Sequence, residues 1–181
     1  ASSDYPLRDV YKRQPLPCSP VCNAACAGCI SLQPSGCCPS TQDRITFVPS
    51  AQELAELAVE HLQSAPRPIV SFGQGCEGEP LLQAKVMEQA IRLIRSRTSQ
   101  GTINLNTNGS LPEAVERLAR AGLDSIRISL NSAQPEKHRL YYRPKGFGLE
   151  DVCQSIATMK RYGRHVSLNY FILPGCTDDP D

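Results

Sequence analysis

Strand-like and helix-like patterns alternate along residues 50–173, and this alternation limits the possible folds more than any other feature of the sequence. Short segments typical of strands occur at 68–72, 102–108, 125–131 and 165–173. Amphipathic helices are predicted at 50–64, 80–99, 112–121 and 149–162. Strands that are connected through helices pair in parallel by right-handed crossovers. The alternation therefore predicts an α/β fold built on a parallel sheet.

Residues typical of helix ends support these boundaries. Ser50 and Glu53 form the S-x-x-E pattern of a capping box at the start of the first helix. Gly122 and Gly163 follow two of the later helices, and glycine is common just beyond a helix C-terminus. Each predicted helix is thus bounded by a local signal as well as by its apolar period.

Three predicted strands carry polar residues along one face, which is unusual for a parallel sheet covered by helices on both sides. Residues two apart on a strand share a face. The polar positions are Asn104, Asn106 and Asn108, then Arg127, Ser129 and Asn131, then Ser167 and Asn169. Because buried amides need hydrogen-bond partners, this face either lines a cavity for a polar ligand, as in a partly open barrel, or faces water in a one-layer sheet. Both alternatives stay open at this point.

Cys22, Cys26 and Cys29 form a C-x3-C-x2-C run inside a segment rich in Pro, Ser, Gly and Cys, which predicts a loop. Thiolates select zinc, copper(I) or iron–sulfur clusters. A closed zinc site uses four ligands, usually from two short paired spacings, and the sequence shows no second pair of this kind. Three thiolates on a cubane cluster would leave one iron open for substrate chemistry. A cysteine-rich zinc-binding or redox module remains an alternative.

The loop after the strand at 68–72 contains Gly73, Gly75 and Gly78, which also satisfy the pattern G-x-G-x-x-G. In a dinucleotide-binding enzyme an acidic residue about 20 residues further on holds the ribose. Here the next strand ends in asparagine, and Glu79 would place a carboxylate where a pyrophosphate meets the helix N-terminus. A nucleotide-binding α/β enzyme that uses the Gly73–Gly78 loop is kept as a second alternative.

The cysteine spacing is similar to the signature of the radical S-adenosylmethionine (radical SAM) superfamily. Gly78-Glu79-Pro80 resembles the G-E-P element after the second strand of that family, and residues 173–175 resemble the turn after its fifth strand. Members often carry an aromatic residue just before the third cysteine, where this chain has Gly28. The resemblance runs from about residue 18 to residue 177. It implies a partial (β/α)6 TIM-like barrel with parallel strands, truncated at both ends, and a site at the C-terminal strand ends.

The same resemblance implies a role for particular residues. Cys22, Cys26 and Cys29 would hold three irons of a [4Fe-4S] cluster. Residues that would contact S-adenosylmethionine are Gly78, Glu79 and Pro80 at its amino group, Ser129 and Asn131 at its ribose or carboxylate, and Asn106 and Asn108 as further candidates of that kind.

The resemblance implies a radical SAM enzyme whose cofactors are the [4Fe-4S] cluster and S-adenosylmethionine. Reductive cleavage of S-adenosylmethionine would give methionine and a 5′-deoxyadenosyl radical, which abstracts hydrogen from a substrate. The substrate, a small molecule or a peptide, cannot be deduced from these residues. An electron donor such as flavodoxin or ferredoxin would be a partner.

Composition and charge narrow the setting. The 181 residues are 40% hydrophobic and 20% charged, which is ordinary for a soluble globular domain. A net charge of +1 gives no indication of a nucleic-acid or anionic-membrane partner. We recognise neither a secretory signal nor an apolar run of bilayer length. Nine cysteines, an odd number, suit metal binding in a reducing cytoplasm better than a disulfide framework.

We expect three segments. Residues 1–15 would be a non-native leader, because residues 9–14 resemble a translated sequencing adapter. Residues 16–49 would be the cysteine-rich cluster-binding loop, and residues 50–181 the incomplete set of β/α units. No strand is recognised ahead of the cysteines, and Tyr141 and Tyr142 are expected in a loop.

Structural or incidental roles are predicted for the remaining cysteines and for two histidines. These are Cys37 and Cys38 as incidental thiols, Cys76 as a small filler beside the site, Cys153 as a core residue, and His61 and His138 as surface residues. A second metal or redox role for Cys18, Cys37 or Cys38 stays open.

Overall fold

The structure is a computed structural model that describes residues 13–32, 40, 42–75, 77–172, 175 and 177. The strands within these residues are β1 (Arg13–Pro15), β2 (Ile69–Phe72), β3 (Thr102–Thr107), β4 (Ser125–Leu130) and β5 (His165–Tyr170). The α-helices are α1 (Ala51–Ser64), α2 (Ala84–Arg97), α3 (Pro112–Ala121), α4 (Pro135–Tyr142) and α5 (Leu149–Arg161), with a 3-10 turn at Pro80–Gln83 before α2. The predictions for residues 1–12, Cys37, Cys38, Cys76, Leu173 and Pro174 lie outside the described residues.

The five strands form one parallel sheet in the order β1-β2-β3-β4-β5. Helices α1, α2, α3 and α5 pack on one another in sequence order. The apolar side chains of β3 and β4, such as Ile103 and Ile126, are fully buried together with Met87 and Val115 from these helices. This arrangement confirms the predicted α/β fold with a parallel sheet.

The local signals in the sequence mark the helix boundaries that the structure shows. At the start of α1, the Glu53 N–H donates to the Ser50 hydroxyl at 3.2 Å and the Ser50 N–H donates to the Glu53 carboxylate at 2.9 Å. At the end of α3, Gly122 has a φ of 116°, a conformation that side chains larger than hydrogen resist. Both features are confirmed.

On the polar face of β3, Asn104 is buried and Asn106 is partly exposed. The Asn104 side chain is 7% exposed and lies between its two neighbouring strands. Its Nδ2 donates to the Ser71 hydroxyl at 2.8 Å, and its Oδ1 accepts from the Ser125 hydroxyl at 2.8 Å. A one-layer sheet with a solvated face does not describe this part of the protein, because the amide is satisfied by the chain itself.

Three predictions were wrong. In addition, a strand that was not recognised in the sequence precedes the cysteines, since Arg13–Pro15 pairs with β2. Tyr141 and Tyr142 end helix α4 and do not lie in a loop. His138 is buried on that helix and stacks on the Tyr142 ring, with 4.7 Å between ring centroids. Cys153 is exposed, because the buried face of α5 runs through neighbouring positions.

In the part of the chain that the structure describes, none of the helices is both long enough and apolar enough to cross a lipid bilayer.

Candidate active site

The loop of residues 22–29 is held by backbone hydrogen bonds to the end of α4. The Ala25 N–H donates to the Tyr142 carbonyl at 2.9 Å, and the Ala27 N–H donates to the Tyr141 carbonyl at 2.9 Å. Carbonyls in the last turn of a helix have no partner inside the helix. The cysteine loop supplies those partners, so its position depends on α4.

Asn23, which follows the first cysteine, fastens the same loop to the end of β3. Its Oδ1 accepts from Asn108 Nδ2 at 2.9 Å, and its Nδ2 donates to the Ser110 hydroxyl at 3.0 Å. Its carbonyl accepts from the Lys145 N–H at 2.8 Å. Asn23 therefore joins three separate parts of the chain inside the cysteine motif.

Glu77 is a buried carboxylate that joins the segment before the cysteines to the loop after β2. Its Oε2 accepts from the N–H groups of Cys18 at 2.9 Å and Ser19 at 3.1 Å, and its Oε1 accepts from the Gly73 N–H at 2.6 Å. The Cys18 thiol also lies 3.5 Å from this carboxylate. Burial, with the Glu77 charge in addition, raises the pKa of the Cys18 thiol. Cys18 is therefore part of the connection between the segment before the cysteines and the loop after β2.

The glycine loop after β2 makes its contacts with the chain itself. The Gly78 N–H donates to the Ser19 carbonyl at 2.6 Å, and the Glu79 N–H donates to the Val21 carbonyl at 2.8 Å. A Cβ atom on Gly78 would lie 1.9 Å from the Val21 oxygen, so glycine is required for this close approach. Because the N–H groups of Gly78 and Glu79 are already satisfied, these two amides are not free to bind a phosphate.

Glu79 is fully enclosed between the glycine loop and the end of β3. Its carboxylate accepts from the Leu81 N–H at 3.0 Å, from the Asn108 N–H at 2.8 Å and from the Thr107 hydroxyl. Burial raises the pKa of Glu79 to about 7, although these hydrogen bonds act in the opposite direction. A buried carboxylate with a raised pKa is one that a nearby cation would stabilise.

All three cysteines of the motif open into one cavity of about 380 Å³, whose wall also includes Gly78 and Ser129. A second cavity of about 170 Å³ shares Cys22, Cys26, Gly78 and Ser129 with the first. This second cavity extends to Glu79 and to the carboxyl end of β3. The thiols and the G-E-P loop are thus neighbours around a continuous space.

The three thiols of the motif line the wall of one cavity. In a [4Fe-4S] cluster each thiolate binds a different iron. The motif would therefore supply three of the ligands of such a cluster.

The three thiols differ in their readiness to ionise. Burial raises the pKa of Cys26 to about 12, and the charges of Cys22 and Cys29 add to the rise. Burial also raises the pKa of Cys22. Burial alone would raise the pKa of Cys29 too, but hydrogen bonds from Ser31, Leu32 and the Arg44 guanidinium lower it. A metal centre needs deprotonated thiols, and Cys29 is the one of the three whose pKa is lowered.

The structure brings together most of the residues that the sequence proposed for the cofactor. The residues that line the cavities are Gly78, Glu79, Pro80, Asn106, Asn108 and Ser129. Asn131 does not line either cavity. It is buried, its Nδ2 donates to the Lys137 carbonyl at 3.3 Å, and its Oδ1 has no hydrogen-bond partner within the described part of the chain.

The sequence did not assign Arg44, Tyr141 or Phe171 to the site, although all three line the larger cavity. Asn169, which was placed on the polar face of its strand, lines the same cavity. The Arg44 guanidinium lies 3.6 Å from the Cys29 sulfur and donates to the Ser31 hydroxyl at 2.9 Å. No local pattern marks these positions, because each reaches the cavity from a distant part of the chain.

Comparison with known proteins decides the family. The model of the radical SAM superfamily matches residues 16–180. This chain belongs to the radical SAM superfamily. Members of the superfamily use a [4Fe-4S] cluster and S-adenosylmethionine. The residues of the cavity fit both groups, since three thiols face it and a buried carboxylate lies beside it.

Individual relatives agree with this assignment. The chain is 28% identical over 160 residues to the GTP 3′,8-cyclase of Limosilactobacillus fermentum, which covers 87% of this chain and 45% of the relative. It is 27% identical over 127 residues to the FeMo cofactor biosynthesis protein NifB of Klebsiella pneumoniae, which covers 70% of this chain and 27% of the relative. A solved structure of native anSMEcpe with bound AdoMet superposes with a TM-score of 0.63 at 22% identity, covering 86% of this chain and 43% of that one. The radical SAM chain described here therefore spans less than half the length of these three proteins, and the solved structure supports the TIM-like fold.

Proposed function

We propose that the protein binds a [4Fe-4S] cluster through Cys22, Cys26 and Cys29 and catalyses the reductive cleavage of S-adenosylmethionine to start radical chemistry on a substrate. The observation that carries this proposal is the continuous space shared by the three thiols, the G-E-P loop and Ser129. Membership of the radical SAM superfamily supports the same chemistry. When bound, the reduced cluster supplies the electron that cleaves the sulfonium C–S bond and yields the 5′-deoxyadenosyl radical.

The residues around Glu79 are suited to the charged end of S-adenosylmethionine. This cofactor carries an ammonium and a sulfonium charge, and the raised pKa of Glu79 reflects the burial of its carboxylate. A cation in the adjoining cavity would favour the ionised carboxylate. Since the Glu79 oxygens already accept three hydrogen bonds from the chain, we propose that Glu79 contributes mainly through its charge.

Ser129, Asn106 and Asn108 offer polar groups at the carboxyl ends of β3 and β4, beside the same cavity. Asn108 also accepts a hydrogen bond from the Ser110 N–H at 3.0 Å, which orients its amide. We propose that Ser129 and Asn106 contact the ribose or carboxylate of the cofactor, and that Asn108 and Asn131 act through the loops that they hold.

The proposed reaction needs an electron donor and a substrate, and both are separate molecules. We propose a flavodoxin or ferredoxin as donor, which is supported by the solvent exposure of Ala27 and Gly28 next to Cys29. We propose a small-molecule or peptide substrate, in keeping with the polar lining of the cavity. The cysteines described by the structure are free thiols, which supports the proposal of a reducing cytoplasm.

Anaerobic reconstitution with iron and sulfide tests the proposal. We expect about four irons per chain, a brown chromophore that bleaches on reduction, and release of 5′-deoxyadenosine from S-adenosylmethionine. The variant with Cys22→Ala, Cys26→Ala and Cys29→Ala should lose all three properties, whereas Cys153→Ala, which removes an exposed thiol on α5, should keep them. A colourless protein that binds one zinc, or a triple variant that still cleaves S-adenosylmethionine, would contradict the proposal.

A further inference from the structure

Beside the third cysteine, the Tyr141 hydroxyl lies where a side chain at position 28 would begin. A Cβ atom on Gly28 would lie 2.8 Å from the Tyr141 hydroxyl oxygen, closer than real Cβ contacts allow. The next nearest atom, Tyr141 Cζ, would be at 3.7 Å, which is an ordinary contact. The overlap is therefore with the phenol oxygen alone. The absence of a side chain at position 28 makes room for it.

Tyr141 cannot move aside easily. Its ring stacks on the Phe171 ring with 5.5 Å between centroids and meets the Tyr142 ring edge-on at 5.0 Å. Its carbonyl accepts from the Ala27 N–H at 2.9 Å, so the backbone of Tyr141 is tied to the same loop. A displacement of the Tyr141 ring by a new methyl group would therefore disturb its contacts with two other rings.

Tyr141 also lies close to the metal-binding thiols. It shares the larger cavity with Cys22, Cys26 and Cys29. Burial raises the pKa of the Tyr141 phenol, and the charges of Cys26 and Cys29 raise it further. The Tyr141 ring forms part of the wall of that cavity.

We propose that Tyr141 is the aromatic residue that shields the cluster at the third cysteine, and that Gly28 is glycine because the Tyr141 hydroxyl takes the place of its side chain. Tyr141 is a positioning residue, since it acts on the cluster through solvent access and packing. This inference rests on the proposed function, because it requires a cluster in the thiol cavity.

Shielding has a physical consequence for the cluster. Solvent exposure and the apolar surroundings of an iron–sulfur cluster set its reduction potential. Removal of water disfavours the more negatively charged, reduced state. Loss of the Tyr141 ring should therefore raise the midpoint potential and give chelators and thiol reagents faster access.

A double-mutant cycle at Gly28 and Tyr141 separates this proposal from a general packing role. Gly28→Ala should lose iron to a chelator several-fold faster than the unmodified protein. Tyr141→Phe keeps the ring and should behave as the unmodified protein. Because Tyr141→Phe removes the overlapping oxygen, Gly28→Ala combined with Tyr141→Phe should lose iron at the unmodified rate. Equal effects of Gly28→Ala in both backgrounds would overturn the proposed pair.

Tyr141→Ala tests the shielding itself, with Tyr141→Phe as the matched control. We expect a higher midpoint potential than in Tyr141→Phe and, in the iron-free protein, faster alkylation of Cys26 and Cys29 by iodoacetamide. Circular dichroism of each variant checks that the helices remain. If neither the potential nor the alkylation rate differs between the two variants, the shielding role is wrong. If the unmodified protein itself fails to bind about four irons, the proposed function fails, whereas the alkylation comparison still judges Tyr141.

Discussion

Asn23→Ala should weaken the attachment of the cysteine loop by an amount that follows from its contacts. The change removes two side-chain hydrogen bonds, to Asn108 and Ser110, and leaves the Asn108 amide, 8% exposed, without its acceptor. A net hydrogen bond contributes about 1 kcal/mol, and a buried donor without a partner costs about 1–3 kcal/mol. We therefore expect the free energy of unfolding to fall by about 2–4 kcal/mol. For a chain of this length the corresponding fall in Tm is roughly 5–15 °C.

Urea unfolding of the iron-free protein, followed by circular dichroism, measures this loss. Asn23→Asp is the matched control, because its carboxylate still accepts from the Asn108 amide and can accept from the Ser110 hydroxyl. We expect it to lose less than half as much as Asn23→Ala. Gln52→Ala is the surface control, since the Gln52 amide bonds Glu56 in an exposed setting, and it should stay within about 0.5 kcal/mol. The reasoning is refuted if Asn23→Ala lowers stability no more than Gln52→Ala does.

Three further predictions concern the same region. Burial raises the pKa of Glu79 from 4.5 to about 7, so the folded protein binds this proton more tightly than the unfolded chain does. The free energy of unfolding should therefore fall by up to about 3 kcal/mol as the pH rises from 4.5 to 7. Urea unfolding at several pH values should show a smaller fall in Glu79→Gln. Arg44→Gln removes the N–H donor at the Cys29 sulfur and should lower the midpoint potential of the cluster, measured by redox titration. The control Arg92→Gln, on the surface of α2, should leave the midpoint potential unchanged. Gly78→Ala places a Cβ 1.9 Å from a backbone oxygen of the segment before the cysteines, and reconstituted protein should hold markedly less iron; full iron content would contradict the required close approach.

The parts of the fold that were predictable are those with strong local signals. The capping box at Ser50 lies at the start of α1, and the glycine at position 122 lies at the end of α3, as the sequence predicts. Strand β1 has only three residues and one of them is Pro15, so it has no period to recognise. It exists because β2 offers an edge for pairing, which is a property of the assembled sheet.

Helix α4 was missed for a different reason. Its buried members are His138 and Tyr142, which are residues with polar groups, so no apolar stripe marks the helix. It is stabilised by rings stacked across one turn and by the cysteine loop that satisfies its last carbonyls. On α5 the buried face runs through Val152 and Met159, and Cys153 points away from it.

In the candidate site too, some features have a local sequence signal and others do not. The spacing of the three cysteines and the G-E-P residues are local patterns, and both could be found from the sequence. The contacts of Arg44 and Tyr141 with the cysteine loop join distant parts of the chain. A single sequence carries no signal for such contacts, since they depend on how the elements pack.

The attachment of the cysteine loop to α4 has a consequence for the order in which the protein matures. Synthesis delivers the three thiols early, but the carbonyls of Tyr141 and Tyr142 that position their loop are made much later. Contacts between distant segments form only after the intervening chain has been ordered. During translation the thiols are therefore made before the carbonyls that position their loop, and we expect cluster insertion to follow the folding of α4. We also expect the thiols to need protection from oxidation until that helix has docked.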